Sequence, residues 1–271
     1  MKKQMAIALM AGLMLTACSH GKASHKKTAD AALKPVPHNI VVLLDKTASV
    51  KDQNTVFKTA LKTIIDNLKP GDKFRLAEIT GASSSDFNFD VSLNLPPKPS
   101  YNMLTDNEAE YKEGLVKWNE KNKSRLSDTY NKALAILEKK PTAMQTDLFG
   151  AIYSSNLYLS ESKNRNILVI LSDMIEEDSH WRFQKVHWTE KLADKIIAHE
   201  KSLGLLSPMK NVCVYVIGAR GPSLEITQRI RQFWTKYFHE TQADFSEARY
   251  AHNLMGWHPD TDCHQTAVSV K

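Results

Sequence analysis

A set of oxygen-bearing side chains stands where buried strands would end or a helix would begin. Three of them follow the apolar run at 39–44, one follows a second apolar run at 166–171, and one opens a predicted helix at 146–160. The set consists of Asp45, Thr47, Ser49, Thr146 and Asp173. Carboxylate and hydroxyl oxygens suit Mg²⁺, Mn²⁺ or Ca²⁺ far better than zinc, which prefers imidazole or thiolate. The pattern predicts a divalent-cation site that keeps a position for an acidic oxygen from outside the chain.

The elements that would position this set alternate between strand and helix. Short apolar runs at 39–44, 166–171 and 211–218 are typical of strands buried on both faces, and 72–80 is a further predicted strand. Helices are predicted at 52–68, 146–160, 189–203 and 223–239, with a last strand near 247–255. This order predicts an α/β fold, a Rossmann-like three-layer sandwich with a mostly parallel central sheet and helices on both faces. Because ligands of such sheets bind beyond the carboxyl ends of the strands, we expect the oxygen-bearing set to share one edge.

Two segments depart from this alternation. Residues 87–95 alternate between apolar and polar side chains, which predicts a half-solvated antiparallel strand at the edge of the sheet. Its apolar side is formed by Phe87, Phe89, Val91, Leu93 and Leu95. Residues 106–140 are charged and helical, inside an insertion at about 104–141. They predict a surface helical hairpin, or a cap that shapes a binding face.

Other polar clusters carry weaker chemical signals. A group near the C-terminus could ligate a transition metal, although a loose polar tail over 256–271 is the simpler interpretation. This group is His258, Asp260, Asp262, Cys263 and His264. The acidic run Glu176, Glu177 and Asp178 follows the second apolar run and is expected to be solvated.

The N-terminus has the features of an export signal. Lys2 and Lys3 precede an apolar stretch that is too short for a membrane-spanning helix. Leu15–Cys18 resembles the bacterial lipobox, which is cleaved before a cysteine that becomes lipid-modified, although a plain secretory signal could end in cysteine by chance. We expect a signal peptide at 1–17, a lipidated Cys18 and a flexible tether over 18–37. Ser19 in place of aspartate favours an outer-membrane anchor that faces the periplasm of a bacterial envelope.

Two cysteines remain besides Cys18, and the net charge bears on which partners the chain could bind. In an oxidising compartment Cys213 and Cys263 could form a disulfide, although Cys213 could equally be a buried free thiol in its apolar run. The formal net charge is +6 over 271 residues, a mild excess that is spread along the chain. We therefore expect no nucleic-acid partner, and at most weak attraction to anionic lipid.

The set Asp45, Thr47, Ser49, Thr146 and Asp173 resembles, in kind and order, the metal-ion-dependent adhesion site of the von Willebrand factor A family. The resemblance covers about residues 38–255. It implies that Thr47, Ser49 and Thr146 bind the cation through hydroxyls, with the two aspartates acting directly or through water. It also implies that an acidic residue of a protein partner completes the shell. Thr47 replaces a serine of the family pattern, and Met174 stands where glycine is common in the family.

A rival resemblance starts from Asp45-Lys46-Thr47, which is similar to the nucleophile motif of P-type ATPases and haloacid-dehalogenase relatives. That interpretation makes Asp45 a phosphorylated nucleophile. It leaves Ser49 and Thr146 without a role, and Thr47 stands where most of that superfamily needs a second aspartate. We expect a lipid-anchored, cation-dependent binding protein without catalysis. Two alternatives are a phosphotransfer enzyme and an A domain that acts as a metal-independent scaffold.

Overall fold

The structure, a computed structural model, describes residues 36–140 and 144–263. The predicted signal peptide, Cys18 and nearly all of the tether lie outside the described residues, as do 141–143 and 264–271. Residues 36–263 belong to one compact unit.

A six-stranded sheet forms the centre of this unit. Its order is β3-β2-β1-β4-β5-β6, and only the edge strand β3 runs antiparallel to its neighbour. The strands are β1 (His38–Asp45), β2 (Lys73–Ile79), β3 (Val91–Asn94), β4 (Arg165–Leu171), β5 (Val212–Ile217) and β6 (Asp244–Ala251). The predicted mostly parallel sheet with one antiparallel edge strand is confirmed.

Helices cover both faces of the sheet. After β1 comes a 3-10 helix, Ala48–Gln53, and the α-helices follow between the strands. They are α1 (Asn54–Asp66), α2 (Ser83–Asp86), α3 (Glu108–Leu137), α4 (Leu148–Ser160), α5 (Glu190–Ser202), α6 (Leu224–Glu240) and α7 (Pro259–Asp262). Within residues 36–140 and 144–263, no helix has the length and apolar character needed to cross a membrane.

Two hydrophobic cores, one on each face of the sheet, explain why the central strands are continuous apolar runs in the sequence. Side chains alternate across a strand, so Ile40 and Val42 of β1 face one core while Val41 and Leu43 face the other. Helices α1 and α3 close the first core, and α4, α5 and α6 close the second. A strand in the middle of a sandwich, such as β1, is therefore buried on both faces. Asp45, at its carboxyl end, is held in place by that packing.

The predicted edge strand at 87–95 is shorter than its sequence pattern. Only Val91–Asn94 pair with β2, whereas Phe87 and Phe89 pack against the opposite core. The Phe89 ring lies 4.8 Å from the ring of Tyr158 in α4. The prediction that all five apolar residues share one face is wrong, because contacts with α4 draw the two phenylalanines across the sheet.

The insertion forms one long helix and not a helical hairpin. Helix α3 runs through 30 residues, and the Asn107 side chain caps its start by accepting from the backbone N–H of Ala109. Its last third packs along α1, where Lys58 pairs with Glu138 at 2.9 Å. The sequence from 108 to 137 contains no proline and no turn signal, so nothing interrupts the helix.

Gly114 provides a test of how much the stability of helix α3 depends on the intrinsic helix propensity of its residues. A Cβ added at Gly114 would meet nothing within 4 Å, so Gly114→Ala should stabilise the helix locally by about 1 kcal/mol. We expect slower amide hydrogen exchange between 108 and 121. Gly218→Ala is the contrasting control, because φ is +100° and the new Cβ would lie 2.5 Å from Phe57 Cε1. Faster exchange in Gly114→Ala would contradict the prediction.

The segment that follows β6 is packed and not a loose tail. Trp257 is buried with its ring 5.1 Å from that of Tyr215, and Cys263 is joined to Cys213 by a disulfide. At the opposite end of helix α7, Asp260 pairs with Lys69 and with Arg165. The expectation of a loose tail is wrong for 256–263, because the disulfide and these contacts hold the segment against the sheet.

Candidate cation site at the carboxyl edge of the sheet

The site begins where the neighbouring strands β1 and β4 end. These strands are parallel, with Leu44 opposite Leu171, so Asp45 and Ser172 leave the sheet side by side. Both are buried, as is Asp173, whose side chain is only 3% exposed. The sheet register alone therefore brings together residues that are 127 positions apart.

Asp45 is surrounded by hydroxyl and amide donors. Its Oδ1 accepts from the backbone N–H of Thr47 at 2.9 Å and from Thr47 Oγ1 at 2.7 Å. Its Oδ2 accepts from Ser172 Oγ at 2.7 Å. Ser172 also accepts from the backbone N–H of Met174 at 2.9 Å. Ser172 was not among the predicted ligands, although its place between the strand and Asp173 is a signal that could have identified it.

Two further predicted residues join the same cluster. Thr47 Oγ1 and Ser49 Oγ are 3.1 Å apart and share a hydrogen bond. Ser49 also hydrogen-bonds to Asp173, whose Oδ1 accepts from the backbone N–H of Ile175 at 3.0 Å. The structure therefore connects Asp45, Thr47, Ser49 and Asp173 through hydroxyl groups.

Thr146 reaches this edge by a different route. Its backbone pairs with that of Glu177, with N···O distances of 2.8 and 3.1 Å. The next residue, Asp147, is the N-cap of α4 and accepts from the backbone N–H of Gly150 at 2.6 Å. Helix α4 thus begins after Asp147, so Thr146 lies just outside the helix that was predicted to contain it. Among the described residues no hydrogen bond connects the Thr146 hydroxyl to the other four predicted ligands.

The two carboxylates of the cluster have no basic partner within the described ranges. Lys46, although adjacent, pairs with Glu78 at 3.1 Å. Burial raises the pKa of Asp45, while hydrogen bonds from Thr47 and Ser172 oppose that change. Burial and the neighbouring charge of Asp45 together raise the pKa of Asp173 to about 7. Two buried carboxylates among hydroxyls form a hard-oxygen donor set that fits a divalent cation, whose charge would relieve their repulsion.

Met174, where the family pattern often has glycine, holds the loop after Asp173 in place. Its φ is +66°, a left-handed conformation that costs a non-glycine residue roughly 1–2 kcal/mol. Its side chain is fully buried, which contributes roughly 1.5–3 kcal/mol. Its carbonyl oxygen also accepts from Trp234 Nε1 at 2.8 Å. Burial and this hydrogen bond together offset the backbone strain, and they join the Asp173 loop to helix α6.

The acidic run after this loop is not solvated throughout. Glu176 is fully buried, and its Oε2 accepts from the backbone N–H of Leu148 at 2.9 Å. Burial raises the pKa of Glu176 well above its usual value, as do the charges of Asp147 and Asp178. The expectation of a solvated run is wrong for Glu176, since backbone amides in the first turn of α4 donate to its side chain in the interior.

The disulfide lies away from this edge. Cys213 and Cys263 have Cα atoms 5.6 Å apart, and the buried guanidinium of Arg249 contacts their sulfur atoms while Nη2 pairs with Asp244 at 2.7 Å. Because the two thiols are bonded to each other, the group of Cys213, Cys263 and Asp244 does not offer free thiolates to a metal.

No family model matches the chain, and no curated protein matches it. A solved structure of the pilus adhesin SpaC from Lactobacillus rhamnosus GG is similar at 12% identity and a TM-score of 0.45, covering 81% of this chain and 28% of that one. A von Willebrand factor type A structure from Catenulispora acidiphila is similar at 11% identity and a TM-score of 0.38, covering 76% and 42%. The manganese-loaded TRAP protein of Plasmodium vivax is similar at 14% identity and a TM-score of 0.30, covering 73% and 63%. The match thus spans less than two thirds of each of these solved chains, and the fold class rests on the strand order described above.

Proposed function

We propose that this chain is a von Willebrand factor A-type binding protein that holds a divalent cation and uses it to bind a protein partner. The observation that carries the proposal is the pair of buried carboxylates, Asp45 and Asp173, which the hydroxyls of Thr47 and Ser49 connect and which have no basic partner in the described part of the chain. We assign the ion to Asp45, Thr47, Ser49, Thr146 and Asp173, and expect Mg²⁺, with Mn²⁺ or Ca²⁺ as alternatives.

Each residue has a distinct part in this proposal. The carboxylates of Asp45 and Asp173 supply negative charge, and the hydroxyls of Thr47 and Ser49 supply neutral oxygens that already lie beside them. A cation bound here provides the positive charge that an acidic side chain of a partner needs. Because the chain supplies few anionic oxygens, a coordination position stays open for that carboxylate.

We further propose that the protein is lipid-anchored at Cys18 in a bacterial cell envelope, facing the periplasm from the outer membrane. The lipobox-like sequence supports the anchor, and the Cys213–Cys263 disulfide supports an oxidising compartment. Mass spectrometry of the protein from membranes tests the anchor, since a chain that begins at an acylated cysteine has a distinctive mass.

Calorimetry on residues 19–271 tests the cation site. We expect Mg²⁺ or Mn²⁺ to bind with a dissociation constant below about 1 mM, in the range of extracellular cation modules. Asp45→Asn should abolish the heat of binding, because it removes one of the two anionic ligands. Absence of binding to the unaltered chain would disprove the cation site.

Capture of partners from cross-linked envelopes, with and without chelator, distinguishes cation-dependent from metal-independent binding. Loss of the partner with chelator supports cation-dependent binding. A capture that is indifferent to chelator would instead indicate a metal-independent scaffold. Hydrolysis of a generic phosphate ester that needs Mg²⁺ and disappears in Asp45→Asn would indicate the phosphotransfer alternative.

A further inference from the structure

Glu176 connects two segments of the candidate site, the loop that carries Asp173 and the start of α4. It is fully buried, three residues after Asp173, and its Oε2 accepts from the backbone N–H of Leu148, the first residue of α4. Leu148 is two residues after Thr146. The Glu176 carboxylate thus fastens the loop that carries Asp173 to the helix start that carries Thr146.

A second contact makes this connection rigid. The backbones of Thr146 and Glu177 form a two-hydrogen-bond bridge directly beside the Glu176 carboxylate. The carboxyl group sits at the N-terminus of α4, where the first backbone amides have no partner within the helix and the Leu148 N–H donates to it. Glu176 and this bridge together hold the Thr146 backbone against the loop that carries Asp173.

From this geometry we propose that Glu176 is a positioning residue for the cation site, acting through Thr146 and not as a ligand. This inference rests on the proposed cation site. The contacts of Asp45, Thr47, Ser49 and Asp173 arise from strand ends and their own loops, whereas Thr146 has no hydrogen bond to them within the described ranges. Its place in the site therefore depends on contacts of the backbone around it. Glu176 and Glu177 hold this backbone to the Asp173 loop, and the Asp147 N–H, which donates to the Thr80 carbonyl at 2.9 Å, holds it to the end of β2.

The test measures Mn²⁺ and Mg²⁺ affinity in variants of residues 19–271. Glu176→Ala removes the acceptor for the Leu148 amide and should weaken binding about tenfold or more, as for other residues that orient metal ligands. Glu176→Gln keeps an oxygen acceptor of the same reach and should restore most of the affinity. Glu177→Gln is the matched control, because it makes the same Glu-to-Gln replacement one residue away, where only the Glu177 backbone makes the bridge.

A double-mutant cycle that combines Glu176→Ala with Thr146→Val tests whether Glu176 affects ion affinity through Thr146. If Glu176 acts through Thr146, the Glu176→Ala change should cause little further loss of affinity once the Thr146 hydroxyl is gone. Independent losses that multiply would overturn the inference. So would equal affinities of Glu176→Ala and the unaltered chain.

Two further readouts separate this inference from general stability and from the proposed function. In ion-free protein, Glu176→Ala should speed amide exchange at 146–149, whereas Glu176→Gln and Glu177→Gln should not. Leu68→Ala, a destabilising change on the other core, should leave ion affinity unchanged. If the unaltered chain binds no ion, the proposed function fails and this inference fails with it. If the unaltered chain binds and Glu176→Ala binds equally well, only the inference fails.

Discussion

Replacing Cys263 with serine should lower the free energy of unfolding by about 4 kcal/mol. The disulfide joins residues 50 positions apart, and closing a loop of that length restricts the unfolded chain by an amount of this order. The folded state also loses a tie that holds Trp257 against Tyr215 on the surface of β5. We therefore expect a lower urea midpoint and a more exposed tryptophan in the variant.

Urea unfolding monitored by tryptophan fluorescence measures this effect. Cys263 is the better position for serine because it is partly exposed, whereas Cys213 is fully buried. Reductant should destabilise the unaltered chain to a similar degree, and should have no further effect on Cys263→Ser. Equal midpoints for the variant and the oxidised chain would contradict the prediction, as would two free thiols in the unaltered protein.

Asp45→Asn should have opposite effects on stability with and without a cation. Without a cation, Asp45 and Asp173 are buried carboxylates that repel each other, and the substitution removes one charge. The asparagine NH2 group cannot accept from the Ser172 hydroxyl as Oδ2 does, so the lost hydrogen bond offsets part of this gain. We expect the ion-free variant to be more stable than the unaltered chain at pH 8, on the order of 1–2 kcal/mol. With saturating Mg²⁺ the unaltered chain should be the more stable, because only it gains binding energy.

The sign of the pH dependence follows from the raised pKa of Asp173. The ion-free folded domain holds this proton up to about pH 7, whereas the unfolded chain releases it near 3.8. Unfolding therefore releases a proton between these values, and ion-free stability should fall as the pH rises from about 4 to about 7. Thermal unfolding in chelator across this range measures the effect, and Asp45→Asn should reduce the slope.

Asp52→Asn is the matched control for the charge change. Asp52 follows the same loop, but it is exposed and pairs with Arg220 at 2.8 Å, and its charge raises the pKa of Asp173 less than burial or the charge of Asp45 does. Its replacement should change ion-free stability little, since exposed ion pairs contribute little. A gain in Asp52→Asn equal to that of Asp45→Asn would show that general charge, and not the buried pair, governs stability.

The sequence alone determined the α/β class and the edge at which the candidate ligands gather. Continuous apolar runs at 39–44 and 166–171 require strands buried on both faces, and such strands lie in the middle of a sandwich. Once those two strands are central and parallel, Asp45 and Asp173 must emerge at the same edge. These predictions succeed because burial imposes a local pattern that can be read from a few consecutive residues.

Only the tertiary structure decided which contacts form between distant segments. Phe87 and Phe89 continue the alternation of an edge strand, yet the ring of Tyr158 draws them to the other face. Glu176 looks like part of a solvated acidic run, yet it is buried and accepts a hydrogen bond from the backbone amide at the start of α4. In each case the decisive partner is 28 or more residues away, so its effect on burial exists only after the chain has folded. For the same reason, the sequence around Thr146 did not show its backbone pairing with Glu177 or the hydrogen bond from the Asp147 N–H to the Thr80 carbonyl.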